Sequence, residues 1–309
     1  MKKVIDPGNL RKSLTVIDNI VYSIQKDLDG NDIELKMSIL LQNGNSEMKL
    51  ATGEDDPKED HSPKPAILWI PGGGWRGADK NLMLAEMKEF ADAGYVVASM
   101  YYRSSSEGKF PSQIIDVKTA IRFLRANAKK YEIDVNNIGV MGRSAGGHSA
   151  AFAAMNTDGY DGNEWGEYSS EVQVCCNMFG PTDVPTLMEL EDRLTKEKPN
   201  YRWKTLAETH GGALIGGDES TMIERAKTAS PTYLVNSKMC PMLILHGDND
   251  PLVPCELSSD ILYKNIQDAG LEDITEYYIV KNGGHGSREF FQPEIKELIV
   301  NFFDKYMKN

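Results

Sequence analysis

The sequence predicts an α/β fold, with a mostly parallel central sheet, helices on both of its faces and an antiparallel hairpin at the N-terminal end. Three observations carry this. From residue 66 onward, short continuous apolar runs alternate with segments of helical periodicity, the pattern of strands buried on both faces and joined by crossover helices. Before them, two segments alternate apolar and polar residues at period two, as strands with a single buried face do. The glycine-rich and chemistry-bearing segments fall directly after apolar runs, where a parallel sheet puts its functional loops.

Taken in order, Ile20, Tyr22 and Ile24 alternate with polar neighbours, and Ile33, Leu35, Met37, Ile39 and Leu41 do so again after Asp29-Gly30-Asn31. Residues 43–65 are rich in Gly, Pro, Asp, Glu and Lys and are expected to form a flexible charged loop, with His61 a solvated surface histidine. Ala66 to Ile70 reads as a buried strand that stops at Pro71-Gly72-Gly73-Gly74-Trp75. A helix from about Asn81 to Ala93 is closed by Gly94, and a strand over residues 95–100 follows. Phe110-Pro111 opens a helix whose buried face is Ile114, Val117, Ile121, Leu124 and Ala128. The next apolar run ends at Met141 and leads into an alanine-rich helix over residues 145–155. A polar loop over 158–170 and a strand over 172–179 come next. Residues 185–229 break the alternation, mixing Leu187, Met188, Leu190 and Leu194 with charged residues, then Trp203 and two glycine pairs. Within one domain spanning residues 1–309, this insertion is either a cap over the functional loops or a set of surface helices linking two strands. A strand over 241–246, a helix over 255–269, a strand over 275–280 and a closing helix with the stripe Ile295, Leu298, Ile299, Phe302, Phe303 and Tyr306 complete the chain.

With 309 residues, 40% of them hydrophobic, the chain is long enough to bury a substantial core. A formal charge of −12 repels nucleic acid and anionic membrane surfaces, so neither is expected as a partner, and small neutral ligands are. Polar residues Asp6, Asn9, Arg11, Lys12 and Asp18 interrupt any apolar run that could form a signal-peptide core, and the chain reads as cytoplasmic. Cys175, Cys176, Cys240 and Cys255 have neither zinc nor disulfide spacing and read as buried thiols.

The chemistry is concentrated in Gly142-Arg143-Ser144-Ala145-Gly146, a Gly-x-Ser-x-Gly between a predicted strand and a predicted helix. That context is the one in which the motif is a nucleophile elbow: a turn so sharp that only small residues fit two places either side, which aims the serine Oγ outward. Such a serine needs a histidine to take its proton and a carboxylate to orient that histidine, in the chain order serine, acid, histidine. Of the five histidines only His285 lies after the candidate acid that follows the penultimate strand, whereas His61 precedes Ser144, His148 sits in the elbow helix, His210 in the insertion, and His246 ends a strand and is expected to fix its loop. For the acid, Asp250 is preferred because it lies far enough past the strand end to curl back, Asp248 is expected to tie down the turn, and Asp183 is the further alternative. The three successive glycines 72–74 leave backbone N–H groups free to converge on an oxyanion.

Pro-Gly-Gly-Gly-Trp at 71–75, Gly-Arg-Ser-Ala-Gly-Gly-His at 142–148, Gly-Pro-Thr-Asp at 180–183, His-Gly-Asp-Asn-Asp-Pro-Leu-Val-Pro at 246–254 and Gly-Gly-His-Gly at 283–286 resemble the α/β-hydrolase-fold carboxylesterases. Within them the resemblance is to bacterial feruloyl and acetyl esterases acting on plant cell-wall polysaccharides, related to the hormone-sensitive-lipase-like esterases. It implies nucleophile Ser144, acid Asp250 and base His285, with oxyanion donors from the backbone of Gly73, Gly74 and Ala145, and neither cofactor nor metal. The substrate it implies is a small-molecule or oligosaccharide ester, acetylated or feruloylated. Pro71 stands where many relatives have His, and Arg143 where the resembled group often has Glu. Trp75, Arg143 and Trp203 are the candidate pocket residues, with ordinary packing the competing reading for Trp203. A serine peptidase or arylformamidase uses the same triad, and a binding protein on an inactive hydrolase scaffold is the alternative of another class.

Overall fold

The computed structural model describes residues 2–6, 13–43, 53, 60–198 and 200–308. Its strands are β1 (Ser13–Lys26), β2 (Asp32–Asn43), β3 (Lys64–Ile70), β4 (Val96–Met100), β5 (Ile133–Arg143), β6 (Cys175–Met178), β7 (Met242–Gly247) and β8 (Thr275–Val280). The α-helices are α1 (Leu84–Asp92), α2 (Ser112–Ala126), the single turn α3 (Ala128–Tyr131), α4 (Ala145–Ala154), α5 (Val184–Glu197), α6 (His210–Ile215), α7 (Glu219–Ala226), α8 (Ser259–Asp268) and α9 (Pro293–Met307). The described residues form one eight-stranded sheet in the order β1-β2-β4-β3-β5-β6-β7-β8. β1 and β2 pair antiparallel, as do β2 and β4, and the pairings from β4 through β8 are parallel.

The apolar runs are strands with two buried faces. In β3, Ala66, Leu68 and Ile70 join one core cluster and Ile67 and Trp69 the other, and β7 divides Met242 and Ile244 from Leu243 and Leu245 in the same way. The first cluster packs under α2, α4 and α8 through residues such as Val117, Ala150 and Leu262. The second packs under α1 and α9 through Met87, Phe90, Phe302 and Phe303. Both faces are therefore covered, and the open ends of the parallel strands are left for the site.

Several boundaries move. The strand after the charged loop begins at Lys64, two residues inside the expected loop, because Lys64 is already in register with Ile133 of β5. Most of the expected 43–65 loop lies outside the described residues. The first expected helix starts at Leu84, after a turn, and the 172–179 strand shortens to Cys175–Met178. Ile24, expected on the buried face of the hairpin, is 53% exposed. The register slips between Val21 and Ser23, so Ser23 turns inward and Ile24 outward. Cys175, Cys176 and Cys240 are buried thiols as expected, whereas Cys255 is half-buried. The 185–229 insertion is helical, made of α5, α6, α7 and short 3₁₀ turns, and its Met188, Leu214 and Met222 share a core cluster with Trp75, Ala145 and Val253. Among the described residues no helix is long and apolar enough to cross a membrane.

Candidate active site

Strand β5 runs into α4 through Ser144, whose φ of 53° and ψ of −126° are unusual for a residue with a side chain. The turn closes because its flanks lack side chains: a Cβ on Gly142 would lie 2.3 Å from the Gly146 carbonyl oxygen, and one on Gly146 would lie 2.0 Å from that of Ile70. The Ser144 N–H donates to the Met178 carbonyl at 2.9 Å, tying the elbow to β6. Its hydroxyl is thereby presented beyond the carboxyl end of the sheet.

His285, on the loop after β8, places Nε2 2.7 Å from Ser144 Oγ and Nδ1 2.7 Å from Asp250 Oδ2. With a neutral imidazole, both contacts are satisfied when Nδ1–H donates to Asp250 and the serine hydroxyl donates to Nε2. Asp250 is buried, and its Oδ1 accepts the N–H groups of Leu252 and Val253 at 2.9 and 3.0 Å. Burial opposes its ionisation, but the neighbouring rings of His246 and His285 and the Val253 N–H outweigh that and hold the carboxyl well below the usual carboxylate range. A permanent carboxylate therefore faces the imidazole. The Phe179 and His285 rings pack against each other at 67°, with centroids 5.0 Å apart.

Asp248, Asp183, His148 and His61 are engaged elsewhere, and His246 sits beside Asp250, its Nε2 3.6 Å from Oδ2. Asp248 Oδ1 accepts the Asn282 N–H at 2.6 Å and ties the β7 loop to the β8 loop that carries His285. Asp183 caps α5, accepting the Thr186 N–H at 3.1 Å. His246 holds its loop through Val253 O and Ser259 Oγ, each at 2.7 Å. His148 is fully buried between the Trp75 indole N–H, 3.3 Å from Nδ1, and the Ala229 carbonyl, 2.6 Å from Nε2. His61 is exposed and contacts Glu132.

The glycine loop after β3 is held by the Tyr102 hydroxyl, which donates to the Pro71 carbonyl at 2.9 Å. Gly74 has a φ of 60°, and a Cβ there would stand 2.4 Å from the His210 ring, so only glycine serves. Among the described residues, the N–H groups of Gly73, Gly74 and Ala145 are given to no protein acceptor, which leaves them available to a ligand.

These groups open on a cavity of about 520 Å³, and the insertion supplies part of its wall: Leu187, Leu190, Glu191 and Leu194 from α5, then Tyr201, Arg202 and Trp203, and His210 from α6. Of the candidate pocket residues, Trp75 reaches the wall but is 1% exposed, its indole N–H spent on His148. Arg143 lines the cavity half-buried, with no ion pair or side-chain hydrogen bond among the described residues. Trp203 lines it with the Arg202 guanidinium 3.7 Å from its ring centre. Sequence reasoning missed the Glu191–His210 contact at 3.1 Å, Phe179 and the wall residues Tyr201 and Arg202. The one available signal was the helical spacing of Leu187, Leu190 and Leu194.

Residues 56–265 match the BD-FAE family. Esterase LipC of Mycobacterium tuberculosis is 29% identical over 205 residues, which cover 63% of this chain and 46% of LipC. Esterase LipQ of the same organism is 26% identical over 228 residues, 72% of this chain and 50% of LipQ. The chain spans about half the length of the curated relatives it matches. Among solved structures, a truncated carbohydrate esterase from gut microbiota superposes with a TM-score of 0.74 at 28% identity, covering 97% of this chain and 98% of that one. A bifunctional GH43-CE protein of Bacteroides eggerthii gives a TM-score of 0.70 at 28% identity, over 94% of this chain and 38% of that one. With the family match running over more than half of its length, on a sheet of this order, the chain belongs to the BD-FAE family of α/β-hydrolase-fold esterases.

Proposed function

We propose that the protein is a serine carboxylesterase that cleaves short acyl esters, acetyl or feruloyl, carried on plant-polysaccharide fragments. The observation that carries this reading is the continuous hydrogen-bonded line Ser144–His285–Asp250, two contacts of 2.7 Å each, at the mouth of a cavity with free backbone donors. As the serine Oγ attacks the ester carbonyl, His285 Nε2 takes its proton and Asp250 stabilises the imidazolium. The negative charge that develops on the carbonyl oxygen is met by the N–H groups of Gly73, Gly74 and Ala145. Imidazolium then returns the proton to the leaving alcohol, and water, activated by the same histidine, releases the acid from the acyl-enzyme. The apolar wall of α5 suits the acyl group. The carbohydrate part of the reading is supported by the 28% identical carbohydrate esterase that matches nearly the whole chain.

The test is turnover of p-nitrophenyl esters of rising chain length, acetylated xylo-oligosaccharides and methyl ferulate, with an aminoacyl p-nitroanilide as the amide control. Ser144→Ala is expected to fall to about a millionth of the wild-type rate, the scale of loss for a triad nucleophile. A fluorophosphonate adduct is expected on Ser144 alone. Retention of more than about a thousandth of the rate in this variant rejects the covalent mechanism, and faster cleavage of the anilide than of the esters moves the assignment to a peptidase.

A further inference from the structure

A second cavity, of about 680 Å³, adjoins the first, and Arg202 and Trp203 line both. Four cationic side chains stand on its wall, Arg76, Lys109, Arg202 and Lys204, against one carboxylate, Glu208. In a chain with 46 acidic and 34 basic residues, such a grouping runs against the overall balance. The hydrogen-bond partners of Arg76 and Lys109 are neutral carbonyls. Arg76 donates to the carbonyls of Glu208 and Thr209, and Lys109 Nζ to those of Ser105 and Ala213 at 2.7 and 3.0 Å. Arg202 stacks on Trp203 and reaches His210 Nε2 at 2.8 Å, while the Arg76 guanidinium lies 5.6 Å from the same indole ring. Among the described residues Arg76, Lys109 and Arg202 make no ion pair. The Glu208 carboxylate is turned to the Lys204 backbone N–H at 2.7 Å. Burial and the charge of Arg76 both push the Lys109 ammonium toward its neutral form, as expected for like charges held together without a counter-ion.

Like charges gathered in a cleft raise its potential, and the low-dielectric walls focus that field on whatever enters. Guanidinium forks beside an ammonium are the donor set for an oxygen anion. Gly216 and Gly217, at φ 63° and 76°, line this cavity without filling it with side chains. The volume is that of a ligand site. Because the two cavities share Arg202 and Trp203, one extended ligand can occupy both.

We infer that the second cavity is an anion subsite for the carboxylate of an acidic sugar, a uronosyl unit on the same fragment whose ester group is cleaved at Ser144. The inference rests on the carbohydrate-ester reading above for the identity of the fragment. A sugar phosphate carries the same oxygen-anion chemistry, and the experiment separates the two sources.

Isothermal titration calorimetry on the wild-type protein with already deacetylated ligands removes turnover from the readout. A glucuronosyl-substituted xylo-oligosaccharide is expected to bind about tenfold tighter than its unsubstituted counterpart, the scale of one charge-assisted contact. The advantage is expected to shrink toward nothing at about 1 M sodium chloride, where charges are screened within about 3 Å. It is also expected to fall in Arg202→Gln and in Lys109→Gln, with melting curves confirming that each variant is folded. Equal binding of the two oligosaccharides, or binding of neither, overturns the subsite. Glucose 6-phosphate binding more tightly than the glucuronosyl ligand, with the same salt and variant dependence, overturns the uronosyl assignment in favour of a phosphate. Failure of the esterase reading is registered separately, by the p-nitrophenyl and acetylated-oligosaccharide assays on the same preparation.

Discussion

Asp248 and Asp250 stand two positions apart on one loop and hold different things. Asp250 faces the His285 imidazole, and Asp248 holds the Asn282 N–H just before the His285 turn. On the proposed mechanism, Asp250→Asn keeps the side-chain size but presents an amide where His285 needs an acceptor, a change that costs about four decades of turnover in a serine protease. The expected result is a loss of several decades in kcat with little change in melting temperature. Asp248→Asn is expected to lose about 1 kcal/mol of stability while keeping most of its turnover, because the bond it weakens is exposed and asparagine keeps an Oδ1 that can accept the Asn282 N–H. The opposite pattern, collapse in the Asp248 variant and survival in the Asp250 variant, transfers the role of the acid to Asp248. The arrangement of these two side chains was legible in the sequence because chain order and distance past a strand end constrain which loops can meet. The contact between Glu191 and His210 was not: its partners lie in a segment with no strand to anchor their direction, and its geometry exists only once α5 and α6 have packed.

The elbow helix α4 is tied to both the glycine loop and the insertion through one imidazole. His148 Nδ1 must be the acceptor for the Trp75 N–H and Nε2–H the donor to Ala229 O, so the buried ring is held neutral in a single tautomer. Burial lowers its pKa from 6.5 to about 4, although the Ala229 carbonyl pulls the other way. As pH falls through about 6.5 the unfolded chain takes up a proton that the folded ring refuses until about pH 4, so stability is lost across that window, by about 3 kcal/mol at its lower end. Thermal melts at pH steps between about 7 and 5 are expected to show a falling melting temperature, and the slope is expected to flatten in His148→Gln. An unchanged slope in the variant assigns the effect to other groups. At this scale the apolar stripe of α2 was legible, but the burial of its polar residues was not. Lys118 reaches the carbonyls of Thr157 and Gly159, and Arg125 those of Ser169 and Glu171 as well as the nearer Val135, so most of the residues that satisfy them are about forty positions away. The outward turn of Ile24 was hidden for a related reason, since a register slip depends on the partner strand rather than on the alternation of β1 itself.

Across the whole molecule, the parallel sheet and its two covered faces were readable because strands buried on both sides leave continuous apolar runs, whereas the helical insertion leaves no comparable mark until its partners are known. Its cluster contains Trp75 of the glycine loop and Ala145 of the elbow together with Leu187, Met188, Leu206 and Leu214. The groups proposed to receive the oxyanion are thus packed against the insertion rather than merely shaded by it. A test compares two leucines, both fully buried: Leu214 in α6, within that cluster, and Leu262 in α8, within the core on the sheet. Each Leu→Ala change removes the same atoms from the same degree of burial, and each is expected to cost about 2–5 kcal/mol of stability. If the insertion holds the glycine loop in place, Leu214→Ala also loosens the position of the Gly73 and Gly74 N–H groups, and a misplacement of about 1 Å at such donors costs about a hundredfold in rate. The expected outcome, measured where both variants are folded, is kcat near wild-type for Leu262→Ala and lower by about ten- to a hundredfold for Leu214→Ala. Equal kcat in the two variants makes the insertion an independent unit, one that lines the cavity without setting the geometry of the donors beneath it.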